Sequence, residues 1–233
     1  PLMVVRGDGT LMNDEFAALS PVETIHSGPA ASAIGGRFLA KMDQALVLDI
    51  GGTTTDLALI EDGKVTISET GASVSGYQTA VKAANLLSIG LGGDSHIKLS
   101  RGNQVTIGPE RVVPLAFLAH QNQNVRERLK ALAKRSFPAP SPRELEYWFL
   151  QRDPPDRSQF SPREGEVIKA LKPGPKPASD VLKSLGLLDP SQVDLSNLWR
   201  EEIIGKSGFT PTDMLHAEGR HTRRELGVEI RLD

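Results

Sequence analysis

The rhythm of apolar and polar positions changes near residue 136. Before it, apolar residues come in short runs broken by glycine. Leu2 to Val5 predicts a short buried strand, and the chain enters it with no lead-in. Ala45 to Ile50 is a nearly continuous apolar run carrying Asp49 near its end, the pattern of a strand buried on both faces. Thr53 to Ile60 is rich in β-formers, Glu61-Asp62-Gly63-Lys64 is a hairpin turn signal, and Val65 to Ser68 returns as a third strand. Between the first strands, Ser27-Gly28-Pro29 opens a stretch running to Lys41. Ser27 is the expected N-cap, and Ala30, Ala31, Ala33, Gly35 and Gly36 would give a thin helix able to pack close to a sheet. Arg101 to Gln104 reads as a second hairpin turn before Val105 to Ile107.

After residue 136 the prolines crowd together, ten of 16 lying between Pro138 and Pro190. They punctuate helices. Ser141-Pro-Arg-Glu144 and Ser161-Pro-Arg-Glu164 both have the capping-box form with proline at the first helical position. Helices are expected at Arg143 to Gln151 and Arg163 to Leu171. Another follows the Ser179 cap and stops at Gly186, and a fourth spans Leu195 to Ile204. Thr210-Pro-Thr-Asp213 starts a fifth, with Asp213 near the positive end of the helix dipole. Val228 to Leu232 alternates like an edge strand. The expected organisation is an α/β lobe over residues 1–135 and a helical module over 136–233 with a terminal strand.

Composition narrows the chemistry. The chain has 233 residues, enough to bury a substantial core, and a net charge of −2, which gives no global reason to bind nucleic acid or membrane. Lys169, Lys172, Lys176 and Lys183 make residues 161–205 locally basic, and their helix count suits a winged-helix-like module. Glu164, Glu166, Asp180, Glu201 and Glu202 offset them, and no aromatic stacking platform is present. With no cysteine, disulfides, thiolate nucleophiles and Cys-ligated metals are excluded, which fits a cytoplasmic protein. No apolar run approaches the ~20 residues of a membrane span. The histidines lack zinc-site spacing, although Asp213 and His216 share a helix face at i, i+3. A capping role suits Asp213 better than a metal.

The densest chemistry is Asp49-Ile-Gly-Gly-Thr-Thr-Thr-Asp56. A strand delivers a carboxylate to its end. Gly51 and Gly52 let a ligand approach the backbone, and successive N–H groups with the hydroxyls of Thr53, Thr54 and Thr55 can hold phosphate oxygens. Asp49 and Asp56 beside phosphates imply an intervening Mg²⁺, and either carboxylate could orient a water. The bland alternative is a tight hairpin whose threonines serve β-propensity. A second glycine turn, Gly90 to Ser95, offers Gly92, Gly93 and Ser95 as backbone or hydroxyl contacts and Asp94 as a further metal ligand. Read plainly, it is a strand bend.

The octapeptide resembles the phosphate hairpin of the actin, sugar-kinase and heat-shock chaperone ATPases. Met3 to Met12, Ser27 to Ser32, Asp49 to Asp56, Ile89 to Ser95 and Gly208 to His216 occur in the order seen in the A-type subunit of hydantoinases and 5-oxoprolinases. The resemblance implies a ribonuclease-H-like, actin-type ATPase lobe that uses ATP and Mg²⁺ on a cyclic amide. Phosphorylating the amide oxygen would make the ring carbon open to water. It further implies an oligomer and a partner lobe carrying a first hairpin, since the octapeptide occurs once here. The chain is therefore expected to be part of a longer polypeptide holding half a nucleotide site. Gly92-Gly-Asp-Ser95 departs from the family's Gly-Gly-Gly-Ser core. The rival expectation is non-enzymatic, a nucleotide-gated structural or regulatory lobe.

Overall fold

A computed structural model describes residues 2–68, 70–74, 76–99, 104–136, 142–154, 156 and 158–219. The chain divides into two compact units, Pro1–Gly92 and Gly93–Asp233. The compositional change near residue 136 falls inside the second.

In the first unit, β1 (Met3–Val5) and β2 (Leu11–Asn13) form an antiparallel pair. Their connection is Arg6-Gly7-Asp8-Gly9-Thr10. It closes with the Gly9 N–H on the Arg6 carbonyl at 2.9 Å, and Arg6 is anchored to Glu23 at 2.6 Å. This segment is a structural turn. Next come α1 (Asp14–Leu19), capped by Asn13, and α2 (Ser27–Ala40). The position before α2 is held by His26 in a left-handed conformation, so Ser27 is the first helical residue and not the expected cap.

Then β3 (Ala45–Ile50), β4 (Thr55–Glu61), β5 (Lys64–Val65) and β8 (Leu86–Ile89) make the main sheet, while β6 (Ser73–Val74) and β7 (Tyr77–Gln78) pair separately. β4 is central, with β3 along one side and β5 and β8 along the other, all antiparallel. Alternation assigns the faces. Ala45, Val47, Ala58, Ile60 and Leu86 pack against Ala30 and Ala33 of α2. The small helix side chains let α2 lie close to the strands.

β3 is therefore not buried on both faces. Leu48 is 53% exposed and Ile50 69%, and Leu46, Leu59, Leu87 and Ile89 join them on the uncovered face. A continuous apolar run signals two apolar faces. Burial of the second needs a covering layer, which the described residues of this unit do not supply.

In the second unit, β9 (Ser95–Leu99) and β10 (Val105–Arg111) form the expected hairpin, although its turn at 101–103 lies outside the described residues. β11 (Val113–Pro114), α3 (Leu115–Gln121) and α4 (Gln123–Ala133) follow. The remaining elements are β12 (Tyr147–Leu150), α5 (Pro162–Leu171), β13 (Lys176–Pro177), α6 (Ala178–Ser184), α7 (Ser196–Arg200), β14 (Ile204–Gly208) and α8 (Pro211–Ala217). The sheet order is β11-β14-β12-β13, with only the β11–β14 pair parallel.

The expected helical module is thus mixed α/β. Residues 142–145 make one 3₁₀ turn, and where a helix was expected to run on to Gln151 the chain extends as β12. The reason is side-chain direction. Tyr147 and Trp148 are both buried, on opposite faces, which a two-residue period satisfies and a helix does not. The helix expected to reach Ile204 ends at Arg200, with Glu202 at φ 51° turning the chain into β14. Ser161 with Glu164, and Thr210 with Asp213, form the expected capping boxes on α5 and α8, whereas α6 starts at Ala178 after Pro177, so Ser179 is a helical residue and not the expected cap. The Ser141 cap and the Val228 to Leu232 strand lie outside the described residues.

One face of this sheet carries Trp148 into a cluster with Val167, Ile168, Leu171, Val181, Leu182 and Leu198 from α5, α6 and α7. The other carries Tyr147 and Phe149 against Leu115, Leu118, Ala119 and Val125. Each fully buried aliphatic side chain contributes about 1.5–3 kcal/mol of burial.

Candidate functional site

The octapeptide folds as the β3–β4 hairpin. Register places Asp49 directly opposite Asp56, with Ile50 opposite Thr55. Directly opposed residues of antiparallel strands hold their Cβ atoms about 5 Å apart, so both carboxylates emerge side by side on the face that α2 covers. The bend between them is closed by the Gly51 N–H on the Thr54 carbonyl at 2.9 Å, and Gly51, Gly52 and Thr53 are exposed. No protein cation pairs with Asp49 or Asp56 among the described residues.

The three threonines have different duties. Thr54 Oγ1 donates to Asp56 Oδ2 at 3.1 Å, and Thr55 Oγ1 donates to the Leu91 carbonyl at 2.7 Å. Their hydroxyl hydrogens are thereby committed inside the protein. Only Thr53 keeps its hydroxyl at the open tip.

The second glycine turn is drawn to this bend. A Cβ on Gly92 would lie 2.6 Å from the carbonyl oxygens of Gly51 and Gly52. Only glycine allows the two backbones to meet, and Thr55 fixes the approach through Leu91. Gly93, Asp94 and Ser95 belong to the second unit. There the Gly93 carbonyl accepts from the Thr212 N–H at 3.0 Å, Ser95 is buried, and Asp94 forms an ion pair with Arg111 at 3.3 Å.

Asp56 and Thr54 also border a cleft of about 430 Å³ in the first unit. His26 and Pro29 at the start of α2 form one side, and Ser68, Thr70, Gln78, Asn85 and Ser88 supply hydroxyl and amide groups. Sequence reasoning missed this polar lining. Ser88 stands opposite Asp56 only because β8 pairs with β4, a long-range register that carries no local signal. Asp49, Gly51, Gly52 and Thr53 do not border the cleft.

The donor set suits magnesium, which takes oxygen ligands and keeps several waters, so two carboxylates suffice for the protein's share. No group of three or more His, Cys, Asp or Glu able to hold a metal occurs among the described residues. Asp213 is not part of such a site. It is 2% exposed, and its carboxylate accepts from the N–H groups of Leu115, Ala116 and Thr210 and from Thr210 Oγ1. It thus caps α3 and α8 together. Burial pushes its pKa up, against the pull of these hydrogen bonds.

No helix among the described residues is long and apolar enough to cross a membrane. An uncharacterized protein of Methanocaldococcus jannaschii is 28% identical over 120 residues, covering 46% of this chain and 18% of its own. A nucleotide-free acetone carboxylase, solved in work on ATP-dependent acetone carboxylation, is 27% identical with a TM-score of 0.39, covering 47% of this chain and 16% of its own. The chain thus spans less than a fifth of either relative's length. Residues 1–113, which include the Asp49–Asp56 hairpin and both glycine turns, match the hydantoinase/oxoprolinase family model.

Proposed function

We propose that the β3–β4 hairpin holds the phosphates of Mg-ATP in an ATP-dependent hydrolase of the hydantoinase/oxoprolinase kind, acting on a cyclic amide. The carrying observation is the placement of Asp49 opposite Asp56, with no cation partner among the described residues, beside an exposed Gly51-Gly52-Thr53 tip. The bend offers backbone N–H groups and the Thr53 hydroxyl to phosphate oxygens. Asp49 and Asp56 would hold the magnesium ion, and the carboxylate left with a free lone pair would orient water. Thr54 keeps the Asp56 carboxylate turned toward the bend, and Thr55 with Gly92 braces the bend from behind. Bound Mg-ATP supplies an electrophilic phosphoryl group. The hydroxyls and amides beside Asp56 suit a small polar substrate. An actin-type lobe, with a partner lobe or subunit completing the nucleotide site, is part of the same reading. Asp94, held by Arg111, is assigned no metal role here.

The test is ATP hydrolysis by the full-length protein, with and without a hydantoin or 5-oxoproline. Turnover strictly dependent on the ring, abolished in Asp49→Ala and Asp56→Asn, supports the enzyme. Nucleotide binding with no ring-dependent turnover supports instead a nucleotide-gated regulatory lobe. Full activity in Asp49→Ala removes the hairpin from the chemistry.

A further inference from the structure

The second unit has its own concave site, about 680 Å³ in volume, remote in role from the hairpin. It opens along β14 where that strand lacks a neighbour. β14 begins at Ile204, but β11 pairs only with Ser207 and Gly208. Gly205 forms part of the lining with the Phe149 ring laid against it, so close that a Cβ would fall 2.4 Å from Cζ. Phe117 and Trp199 complete an aromatic wall.

Charge around this wall is nearly, but not fully, balanced. Asp94 pairs with Arg111 at 3.3 Å and Glu110 with Lys206 at 2.6 Å. Lys98 and Glu146, outside the lining, add one charge of each sign to these pairs. The Glu202 carboxylate is left over. It has no partner among the described residues, and its backbone is held at φ 51°, in the left-handed region that non-glycine residues rarely adopt. The wall already accommodates one cation: Lys206 Nζ lies 5.4 Å from the Trp199 ring centroid. Aromatic faces attract cations through the ring quadrupole, and carboxylates at the rim add to that attraction.

We propose that this cleft binds a small organic cation carrying an alkylated ammonium or guanidinium group. The apolar part of the ligand lies against Phe117 and Phe149, and its charge sits between the Trp199 face and Glu202. Lys206 is then an internal competitor for the Trp199 ring.

The chain has two tryptophans, and Trp148 is buried, so Trp199 reports on ligand. The full chain is titrated with choline, with agmatine and with benzoate as the anionic control, following tryptophan fluorescence. Saturable binding of choline or agmatine but not benzoate is expected. Glu202→Gln, a change at an exposed residue, should weaken it about tenfold. Lys206→Met should strengthen it, an effect opposite in sign to simple damage. No saturable binding of either cation, affinity unchanged in Glu202→Gln, or preference for benzoate overturns the proposal. So does capture of a lysine-rich peptide with no binding of choline or agmatine, which would make the partner a polypeptide.

Discussion

In the first unit β3, β4 and β8 press one face under an alanine-lined helix and leave a leucine face open. In the second, β12 and β14 are packed on both faces, by α5, α6 and α7 on one side and α3 and α4 on the other. Both sheets are built from apolar residues, so apolar content does not separate them. What separates them is the number of helices that return to each sheet. The second unit owes its order to a closed core. The first owes its order to a thin packed face, and its chemistry sits at the polar end of that face, where Asp49, Asp56 and Ser88 replace the Val47, Ala58 and Leu86 of the next register position.

This contrast makes its largest prediction in a matched pair of truncations. Leu198→Ala, at a fully buried site, should destabilise the second unit by about 3 kcal/mol. Leu48→Ala, at a half-exposed site, should cost less than about 0.5 kcal/mol. Denaturant melts of both variants test this. A large loss for Leu48→Ala would show that its face is covered in solution, and the contrast between the units would fail.

Asp213 supplies the next largest effect. Its carboxylate satisfies donors at the starts of both α3 and α8, and removing it strands buried N–H groups. Asp213→Ala should cost about 2–3 kcal/mol, read in the same melts. Metal addition should leave the loss unchanged, whereas rescue by a divalent ion would return Asp213 to the list of metal ligands.

The ease of reading these features from sequence followed their range. Capping boxes at Ser161 and Thr210, the Asp62-Gly63 turn and the Asp49–Asp56 hairpin are encoded within a few residues, and each was legible. β12 was misread as a helix because the Ser141-Pro-Arg-Glu144 signal is local, while the burial of Tyr147 and Trp148 between two helical layers is not. The polar cleft beside Asp56 depends on β8 lying next to β4 and was invisible for the same reason. The committed Thr55 hydroxyl belongs to this class too, since its partner lies 36 residues away.

Gly92 tests the bracing of the hairpin in the first unit. Gly92→Ala places a methyl against the Gly51 and Gly52 backbone and should cost about 1–3 kcal/mol in that unit. It should also lower affinity for Mg-ATP, since the bend must shift to admit the methyl. Gly28→Ala is the control, because a Cβ there meets nothing within 4 Å. Equal nucleotide affinity in both variants would separate the glycine turn from the hairpin.

The smallest effect concerns pH and the second unit alone. His96, whose Nδ1 is 3.5 Å from Glu110 Oε2, acts with Lys206 and Lys98 to hold the Glu110 carboxyl well below its ordinary value of 4.5. A carboxylate with a depressed folded-state pKa stabilises the fold above its unfolded value, and that contribution drains away as pH falls through the folded value. Glu110 is about one-third exposed, so solvent screens much of the interaction. Wild type should therefore exceed Glu110→Gln modestly at neutral pH, with the gap narrowing below pH 4.5 and closing only in strong acid. Both tryptophans lie in this unit, so fluorescence-detected melts from neutral to acid pH follow it directly. A gap that stays constant through that range would mean that Glu110 acts through packing and not through charge, and the ionic balance assigned to the β14 cleft would then have to be redrawn.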